Sequence, residues 1–399
     1  MPSGFGCNKP SNLITGSMDE WVQIDPQPLK LKGQMQHGTL LRAMGNRVVV
    51  AMSGGVDSSV AAALLQEEGY DVVGITLRLW PDEEEGHTHP CCLSEGVKDA
   101  QAVALRLGIP HYVLNMEEPF LEHVVDYFCD EYARGRTPNP CLACNRVLKF
   151  HLLLMKVMAL GASHLVTGHY CRVISSPGGF RLLRGVDEAK DQSYFLYALG
   201  QQEMAHVLFP VGALTKAEVR RYARRRGLPV ADKGESQDIC FVSGDYRTFV
   251  SKRLSFAPGP MVDTGGGVVG EHSGVALFTV GQRRGLGIGG GPVRYVVRLE
   301  PDDCRVVVGD EVELYSSRLR ANNLCWTGTA PDKTMDVLVR VRHLARLAPA
   351  TVTPAGSGVM VEFALSQRAV APGQAVVFYA ADNGGEEVLG GGTIDRVGV

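Results

Sequence analysis

The 399-residue sequence has no apolar run long enough to span a bilayer, which takes about 20 consecutive residues, so it reads as having no membrane-spanning helix and as cytoplasmic. It has little net charge. The formal value of -3 excludes a globally basic surface, so any nucleic-acid contact must come from local basic patches. Its 10 cysteines are too few for a small disulfide-stapled scaffold. It lacks the GxxxxGK[ST] string of a Walker loop, and shows neither a solenoid period nor coiled-coil heptads. Residues 1–45 are mixed in polarity, and Asp19, Glu20 and Asp25 argue against an acid-poor transit peptide. That segment reads as a disordered extension.

What is present begins at Arg47. RVVVAM, DVVGITLRLW, HYVLNM and SHLVTGHY are short β-branched, apolar runs. They alternate with helix-patterned stretches: SVAAALLQEEG, SEGVKDAQAVALRLG, PFLEHVVDYFCDEYARG and RVLKFHLLLMKVMALG. Strands separated by helices of this length predict an α/β domain with a doubly wound parallel sheet over residues 46–243. After Gly244 glycine becomes dense and short alternating runs take over, among them RYVVRL, CRVVVG, DVLVRVRH and QAVVFYA. These predict a small central β-rich domain over 244–298 and a C-terminal antiparallel β-barrel over 299–399.

The string Ala51, Met52, Ser53, Gly54, Gly55, Val56, Asp57, Ser58, Ser59 lies between a predicted strand and a predicted helix. Two glycines let the backbone turn tightly and approach a ligand without Cβ clashes. The helix N-terminus adds unpaired N–H groups and a positive dipole end, a ready anion site. Asp57 would repel a bare phosphate, which points to Mg²⁺ on a pyrophosphate. The bland alternative is a tight turn alone, but the whole string resembles the SGGxDSS signature of the PP-loop ATP pyrophosphatases, which cleave ATP between the α and β phosphates.

Several cysteines cluster: Cys91 with Cys92, Cys141 with Cys144, and Cys240 in GESQDICF. In TPNPCLACN, Pro138 and Pro140 stiffen a loop, and Asn145 reads as the N-cap of the following helix. Cys144 would then sit at a helix N-terminus, where a thiolate is stabilised and nucleophilic. HTHPCC carries a zinc-like composition with no standard finger spacing, and unremarkable loop chemistry is the favoured reading. Cys7, Cys129, Cys171, Cys304 and Cys325 are scattered and read as small buried hydrophobes.

AMSGGVDSS, RTPNPCLACN, TGHY, KDQSYFL, GESQDICF and TVGQRRGLGIGGG, in this order, resemble the tRNA-specific 2-thiouridylases that modify the wobble uridine. The resemblance runs from about Arg47 to the C-terminus. It implies an ATP-dependent sulfurtransferase that adenylates the C2 oxygen of uridine and then delivers sulfur, leaving AMP and pyrophosphate. By resemblance Cys240 carries the persulfide, Cys144 is the second catalytic thiol, and the two can form a disulfide. Ala51 through Ser58, Leu77 and Gly168 would line the ATP site, Leu77 standing where many relatives have Met. Asn139, Pro140 and Cys141 would border the target base. His169, Lys190, Asp191, Gln192, Arg342, His343 and Gln374 would touch tRNA, His343 replacing a more usual Tyr. Implied partners are tRNA acceptors of the Lys, Glu and Gln type and, as sulfur donor, a cysteine desulfurase or sulfur-relay protein.

Many relatives carry Asp where this chain has Cys141. The change creates Cys141-x-x-Cys144, and with Cys240 three thiols could hold an iron–sulfur cluster that carries the sulfur instead. Arg220, Arg221, Arg224, Arg225 and Arg226 either grip phosphates or form a solvated helix face paired with acids. Arg340 and Arg342 alternate on a predicted strand, so both would face one way, and Arg283 and Arg284 read as domain or tRNA contacts. A rival reading, an amidotransferase-type PP-loop synthetase, leaves Cys144 and Cys240 without work. A second, a tRNA-binding protein without catalysis, leaves the phosphate loop without work.

Overall fold

The computed structural model describes residues 46–80, 94–234, 239–242, 244–289 and 291–398. The extension at 1–45 and the pair Cys91–Cys92 lie outside the described residues. The rest forms two compact units. One runs to Leu121 and resumes at Cys144–Ser243; the other holds Glu122–Ala143 and Gly244–Val399.

The first unit is built on a parallel sheet. Its strands are β1 (Arg47–Ala51), β2 (Asp71–Arg78), β3 (His111–Asn115), β4 (His164–Val166) and β7 (Val207–Leu208). The order is β3-β2-β1-β4-β7, and every neighbouring pair is parallel. Val48, Val49 and Val50 are buried because the central strand is covered on both faces, which selects continuous β-branched residues. The order reverses at β1, so a crevice opens at its carboxyl end, where open α/β sheets bind ligands. Helix α1 (Val56–Glu67) follows β1, and α2 (Ser94–Leu107) follows β2. Val60, Ala61, Ala62 and Ala63 of α1 pack with Val219 and Ala223 of α3 (Lys216–Arg225) in one core, small side chains permitting close approach. The sequence reading did not anticipate the hairpin of β5 (Cys171–Ser176) and β6 (Gly179–Arg184). Its turn, Ser176-Pro177-Gly178-Gly179, is a plain turn signal, with Gly179 at φ 115°.

The second unit contains two β layers. β8 (Gly259–Asp263), β9 (Val268–His272), β10 (Tyr295–Glu300) and β11 (Arg305–Gly309) make a small sheet in the order β10-β11-β8-β9. Six longer strands follow: β12 (Tyr315–Trp326), β13 (Met335–Arg340), β14 (Ala348–Ala355), β15 (Gly358–Arg368), β16 (Ala375–Ala380) and β17 (Glu387–Val397). They pair antiparallel, and β17 returns to β12, closing a barrel with no free edge. Leu319, Val339, Val361, Phe378 and Ile394 fill it. At Gly390 (φ 149°) a Cβ would collide with the carbonyl of Cys325, so glycine is what lets β17 approach β12 there. The segment Glu122–Ala143 belongs to this unit through stacking of Tyr132 on Tyr246 (4.7 Å) and an ion pair from Arg136 to Glu131 and Asp395.

One buried chain of hydrogen bonds ties β3 to the end of β1. The Thr76 hydroxyl donates to the Met52 carbonyl (2.7 Å) and so accepts from Nε2 of His111 (2.8 Å). That leaves the His111 Nδ1 as a buried acceptor with no hydrogen-bond partner among the described residues. Burial pushes the ring's pKa down to about 4. In the pH range between about 4 and the ordinary value of 6.5 the unfolded chain therefore binds the extra proton, and stability rises with pH through that window. The contribution is complete above about 6.5 and is lost on acidification. Stability of the wild type should fall by about 2–3 kcal/mol more than that of His111→Gln between pH 7 and pH 4.5, measured by denaturant titration; equal losses would assign the acid sensitivity elsewhere.

Candidate active site

The turn from β1 into α1 is held by its own hydroxyls. Gly55 is the N-cap of α1 in an extended conformation, and its carbonyl accepts from the hydroxyls of Ser58 (3.3 Å) and Ser59 (2.8 Å). The Ser58 oxygen also accepts from the Ser53 N–H (3.3 Å), and the exposed Ser53 hydroxyl lies 3.4 Å from the Ser58 hydroxyl. Gly54 takes φ 73°, and a Cβ there would strike the Gly96 carbonyl at the start of α2. Gly168, just after β4, lies so close that a Cβ would sit 2.5 Å from the Ser58 nitrogen. Ala51, Met52 and Val56 complete the turn, and Leu77 on β2 is half-buried beside Leu114 of β3. Backbone approaches the α1 N-terminus on several sides without intervening side chains, the arrangement that receives phosphates.

Asp57 stands in the first turn of α1 and is not a solitary charge. Both its oxygens contact the Lys216 ammonium (2.8 and 2.7 Å), and Oδ1 also accepts from the Tyr170 hydroxyl (2.7 Å). Lys233 reaches the Gly54 carbonyl (3.3 Å) and pairs with Asp99. Asp57, expected from the sequence to repel a bare phosphate, thus has its charge offset by Lys216. The carboxylate still suits Mg²⁺, which takes one or two protein carboxylates together with substrate phosphates and water. Lys216, Lys233 and Tyr170 were missed by sequence reasoning. The signal was available for one of them, because Thr215-Lys216-Ala217-Glu218 is a capping box, with Thr215 accepting from the Glu218 N–H and Glu218 accepting from the Thr215 N–H.

The cysteine segments depart from expectation in one respect. Helix begins at Pro140, not after Cys144: Pro140–Ala143 is a helical turn, and Cys144–Leu153 continues as a π-helical stretch. The capping oxygen belongs to Asn139, whose Oδ1 accepts from the Cys141 N–H (3.1 Å). Asn145 is buried inside the helical run, donating to the Phe195 carbonyl (3.2 Å) and accepting from Lys149 (2.9 Å). Cys144 thus lies one turn into helix rather than ahead of it, and its side chain is buried while Cys141 is exposed. Cys240 is half-buried, and its neighbour Phe241 stacks on Trp80 (6.4 Å) and meets Phe120 edge-on (5.5 Å). No group of three or more His, Cys, Asp or Glu side chains that could hold a metal occurs among the described residues. Cys129, Cys171 and Cys325 are buried, and burial raises the thiol pKa of the first two.

In the second unit the Pro-rich segment is pinned to a corner of the barrel. The Thr137 N–H donates to the Pro372 carbonyl (2.8 Å), and the Gln374 amide donates to the Thr137 carbonyl (2.9 Å). Between them Gly373 (φ 89°) leaves no room for a Cβ, which would lie 2.8 Å from the Thr137 nitrogen. Gln374 therefore holds Pro138, Asn139 and Pro140 in place from behind.

Among the expected RNA contacts, Asp191 is engaged inside the fold. Its carboxylate is fully buried and accepts from the Gly185 and Ser193 N–H groups (both 3.1 Å), the Ser193 hydroxyl (3.1 Å) and Arg184 (3.3 Å). Gln192 clamps Tyr170 by accepting from its N–H (2.9 Å), and Lys190 is half-buried beside it in sequence. His169 is half-buried between Phe150 and Phe209, its Nδ1 2.7 Å from the Thr167 hydroxyl; desolvation, with Lys149 adding to it, holds its pKa well below 6.5, so the ring is neutral. Arg340 is buried over the Tyr379 ring (5.4 Å), whereas Arg342 is exposed beyond β13 and donates to the Arg368 (3.0 Å) and Ala369 carbonyls. The two do not share a face, because the strand ends at Arg340. His343 is half-buried next to Arg342, and Arg283 and Arg284 are exposed. The arginines of α3 and its C-cap are paired within their own unit, several of them at its surface: Arg220 with the Ala231 and Lys233 carbonyls, Arg221 with Glu218, Arg224 with Asp232, Arg225 over Tyr222, Arg226 with Glu67. The paired-face reading holds for that helix. No described helix is long and apolar enough to cross a membrane.

Family models match along the chain: a tRNA methyl transferase HUP domain over residues 46–244, a tRNA methyl transferase PRC-barrel domain over 247–310 and an aminomethyltransferase beta-barrel domain over 316–394. The chain is similar to the tRNA-specific 2-thiouridylase MnmA of Heliobacterium modesticaldum, 50% identical over 88% of this chain and 93% of that protein. It is similar to the enzyme of the same name from Chloroflexus aurantiacus, 49% identical over 88% and 98%, and to that of Carboxydothermus hydrogenoformans, 48% identical over 88% and 98%.

Two substitutions separate the roles assigned above. Gly168→Ala drives a methyl group into the Ser58 backbone and should weaken binding of an ATP analogue by at least ~10-fold, read by calorimetry; unchanged affinity would show that the loop yields. Asp191→Asn strips a buried cation and three donors of their acceptor charge and should cost about 3 kcal/mol or more in stability, while leaving the tRNA affinity of the folded protein unchanged.

Proposed function

The chain belongs to the family of tRNA-specific 2-thiouridylases, and from that membership we propose that it thiolates C2 of the wobble uridine of tRNA at the expense of ATP. The observation that carries the reading is the glycine-lined phosphate loop, with its helix N-terminus open beside Lys216 and Lys233. Ser53, Gly54, Gly55 and Ser58 hold the triphosphate by backbone N–H and hydroxyl groups, with Leu77 and Gly168 shaping the nucleotide pocket. Asp57 supplies the carboxylate for Mg²⁺, which would neutralise charge on the departing pyrophosphate. The family model's description speaks of methyl transfer, but an ATP loop combined with two cysteine segments is equipped for adenylation and thiol chemistry.

The chemistry is a two-stage substitution. The uridine C2 oxygen attacks the α-phosphorus, the α–β phosphoanhydride bond breaks, and pyrophosphate leaves. The terminal sulfur of a persulfide on Cys240 then attacks C2, and AMP departs with the former carbonyl oxygen. Attack of the Cys144 thiolate on Sγ of Cys240 breaks the remaining sulfur–sulfur bond, freeing 2-thiouridine and leaving a Cys144–Cys240 disulfide. An external thiol reduces that disulfide, and a cysteine desulfurase or relay protein of the cytoplasm reloads Cys240. Asn139, Pro140 and Cys141 border the base, and the exposed side of Arg342 with His343 meets the RNA backbone. The division of labour assigns residues 46–243 to catalysis and the barrel to tRNA.

Cys144→Ser and Cys240→Ser should each reduce 2-thiouridine formation by ~10³-fold or more, as for loss of a covalent nucleophile, while still releasing pyrophosphate once per tRNA. Thiolation persisting in either variant would overturn the assignment. Mass analysis of the wild-type protein should find an added sulfur on Cys240.

A further inference from the structure

Lys216 occupies a position that its pairing with Asp57 does not by itself explain. Its backbone is fixed three ways: Thr215 caps α3, the Lys216 N–H donates to Asp187 (2.9 Å), and α3 packs against α1 through Val219 and Ala223. From that fixed root the side chain, 11% exposed, runs to the first turn of α1 and meets both oxygens of Asp57. The Tyr170 hydroxyl shares Oδ1, and the Lys216 ammonium lies 5.7 Å from the Tyr170 ring centre. Asp57 itself is 30% exposed and sits beside the open N–H groups of α1.

A carboxylate in the first turn already gains from the helix dipole, so it does not need a buried lysine for tolerance. A mobile ammonium on a fixed stem is, by contrast, what a site needs if its charge must change hands. Lysine is a compact point charge on a flexible four-carbon chain, able to exchange one oxygen partner for another nearby. Resting on the phosphate-loop reading above, we propose that Lys216 is a nucleotide-binding residue held in reserve by Asp57: when ATP occupies the loop, the ammonium moves from the carboxylate to the phosphate oxygens. The exchange keeps the loop neutral when empty and supplies a positive charge only when an anion arrives. It also frees the oxygens of Asp57 for Mg²⁺. The Tyr170 hydroxyl, held in place by the Gln192 clamp on its backbone, keeps the carboxylate oriented through the exchange.

The test is a double-mutant cycle read by calorimetric binding of an ATP analogue with a carbon bridge between the α and β phosphates, without tRNA. Lys216→Met should weaken binding by about 10- to 100-fold, the value of a charge-assisted hydrogen bond. The deciding measurement is made in the Asp57→Asn background. If Lys216 contacts phosphate, adding Lys216→Met to Asp57→Asn still weakens binding by ~10-fold or more. If Lys216 merely neutralises Asp57, the second substitution has no effect there, and the proposal fails. Thermal unfolding of each variant without nucleotide reports whether the fold is intact; should Lys216→Met not fold, Lys216→Gln takes its place in the cycle. Wild-type protein that binds no ATP analogue would defeat the thiouridylase reading itself, whereas normal wild-type binding with an inert Lys216 defeats only this inference.

Discussion

Backbone must meet backbone around the first turn of α1, and much of the first unit is arranged to permit it. Gly54 lies against the carbonyl of Gly96, and Gly168 against the nitrogen of Ser58. Gly74 of β2 lies against the Met52 side chain, where a Cβ would be 2.6 Å from the sulfur. Each contact joins a different element to the loop, and at Gly54 and Gly168 neighbouring backbone leaves no room for a side chain. The helix N-terminus is thereby left with its N–H groups directed into the crevice that the sheet's reversal at β1 creates. Burial of His111 and the Thr76 hydroxyl beneath Met52 fixes the same turn from below.

Charge around this loop is balanced locally rather than globally. Two lysines from the α3 region face two aspartates, Lys216 against Asp57 and Lys233 against Asp99, so a chain of formal charge -3 still presents an anion site. The arginines of α3, which look on paper like a phosphate grip, are instead engaged with carboxylates, carbonyls and a ring of the same unit. A run of one sign in sequence says little until the opposing groups are located. Here they come from Glu67, Asp232 and the carbonyls after α3.

The second unit solves a positioning problem with a barrel. Prolines restrict the Thr137–Pro140 segment, yet its place is set by hydrogen bonds from the corner Pro372–Gln374 and by Arg136 reaching Glu131 and Asp395. Closure of the six strands makes that corner rigid, since no edge strand is left to fray. A residue such as Gln374 can therefore matter by positioning the Thr137–Pro140 segment, a role distinct from contact with a ligand. Asp191 illustrates the same distinction from the other side, its carboxylate spent on Arg184, Gly185 and Ser193 inside the fold.

The sequence alone determined the strand–helix alternation, the barrel and the phosphate loop, because these rest on local periodicity and on glycines at a strand-to-helix turn. It also singled out Cys144 and Cys240 through their motifs. Tertiary structure alone decided which charges oppose one another and which polar side chains are consumed internally. Lys216 is 159 residues from Asp57, and Gln374 is 237 from Thr137. It also moved the start of the helix at Cys144, placing the cap at Asn139, because both Asn139 and Asn145 are competent caps and only packing of Asn145 against Phe195 and Lys149 distinguishes them. Propensity is a property of a few neighbouring residues, whereas the pairing of a buried charge is a property of whatever the fold brings to it.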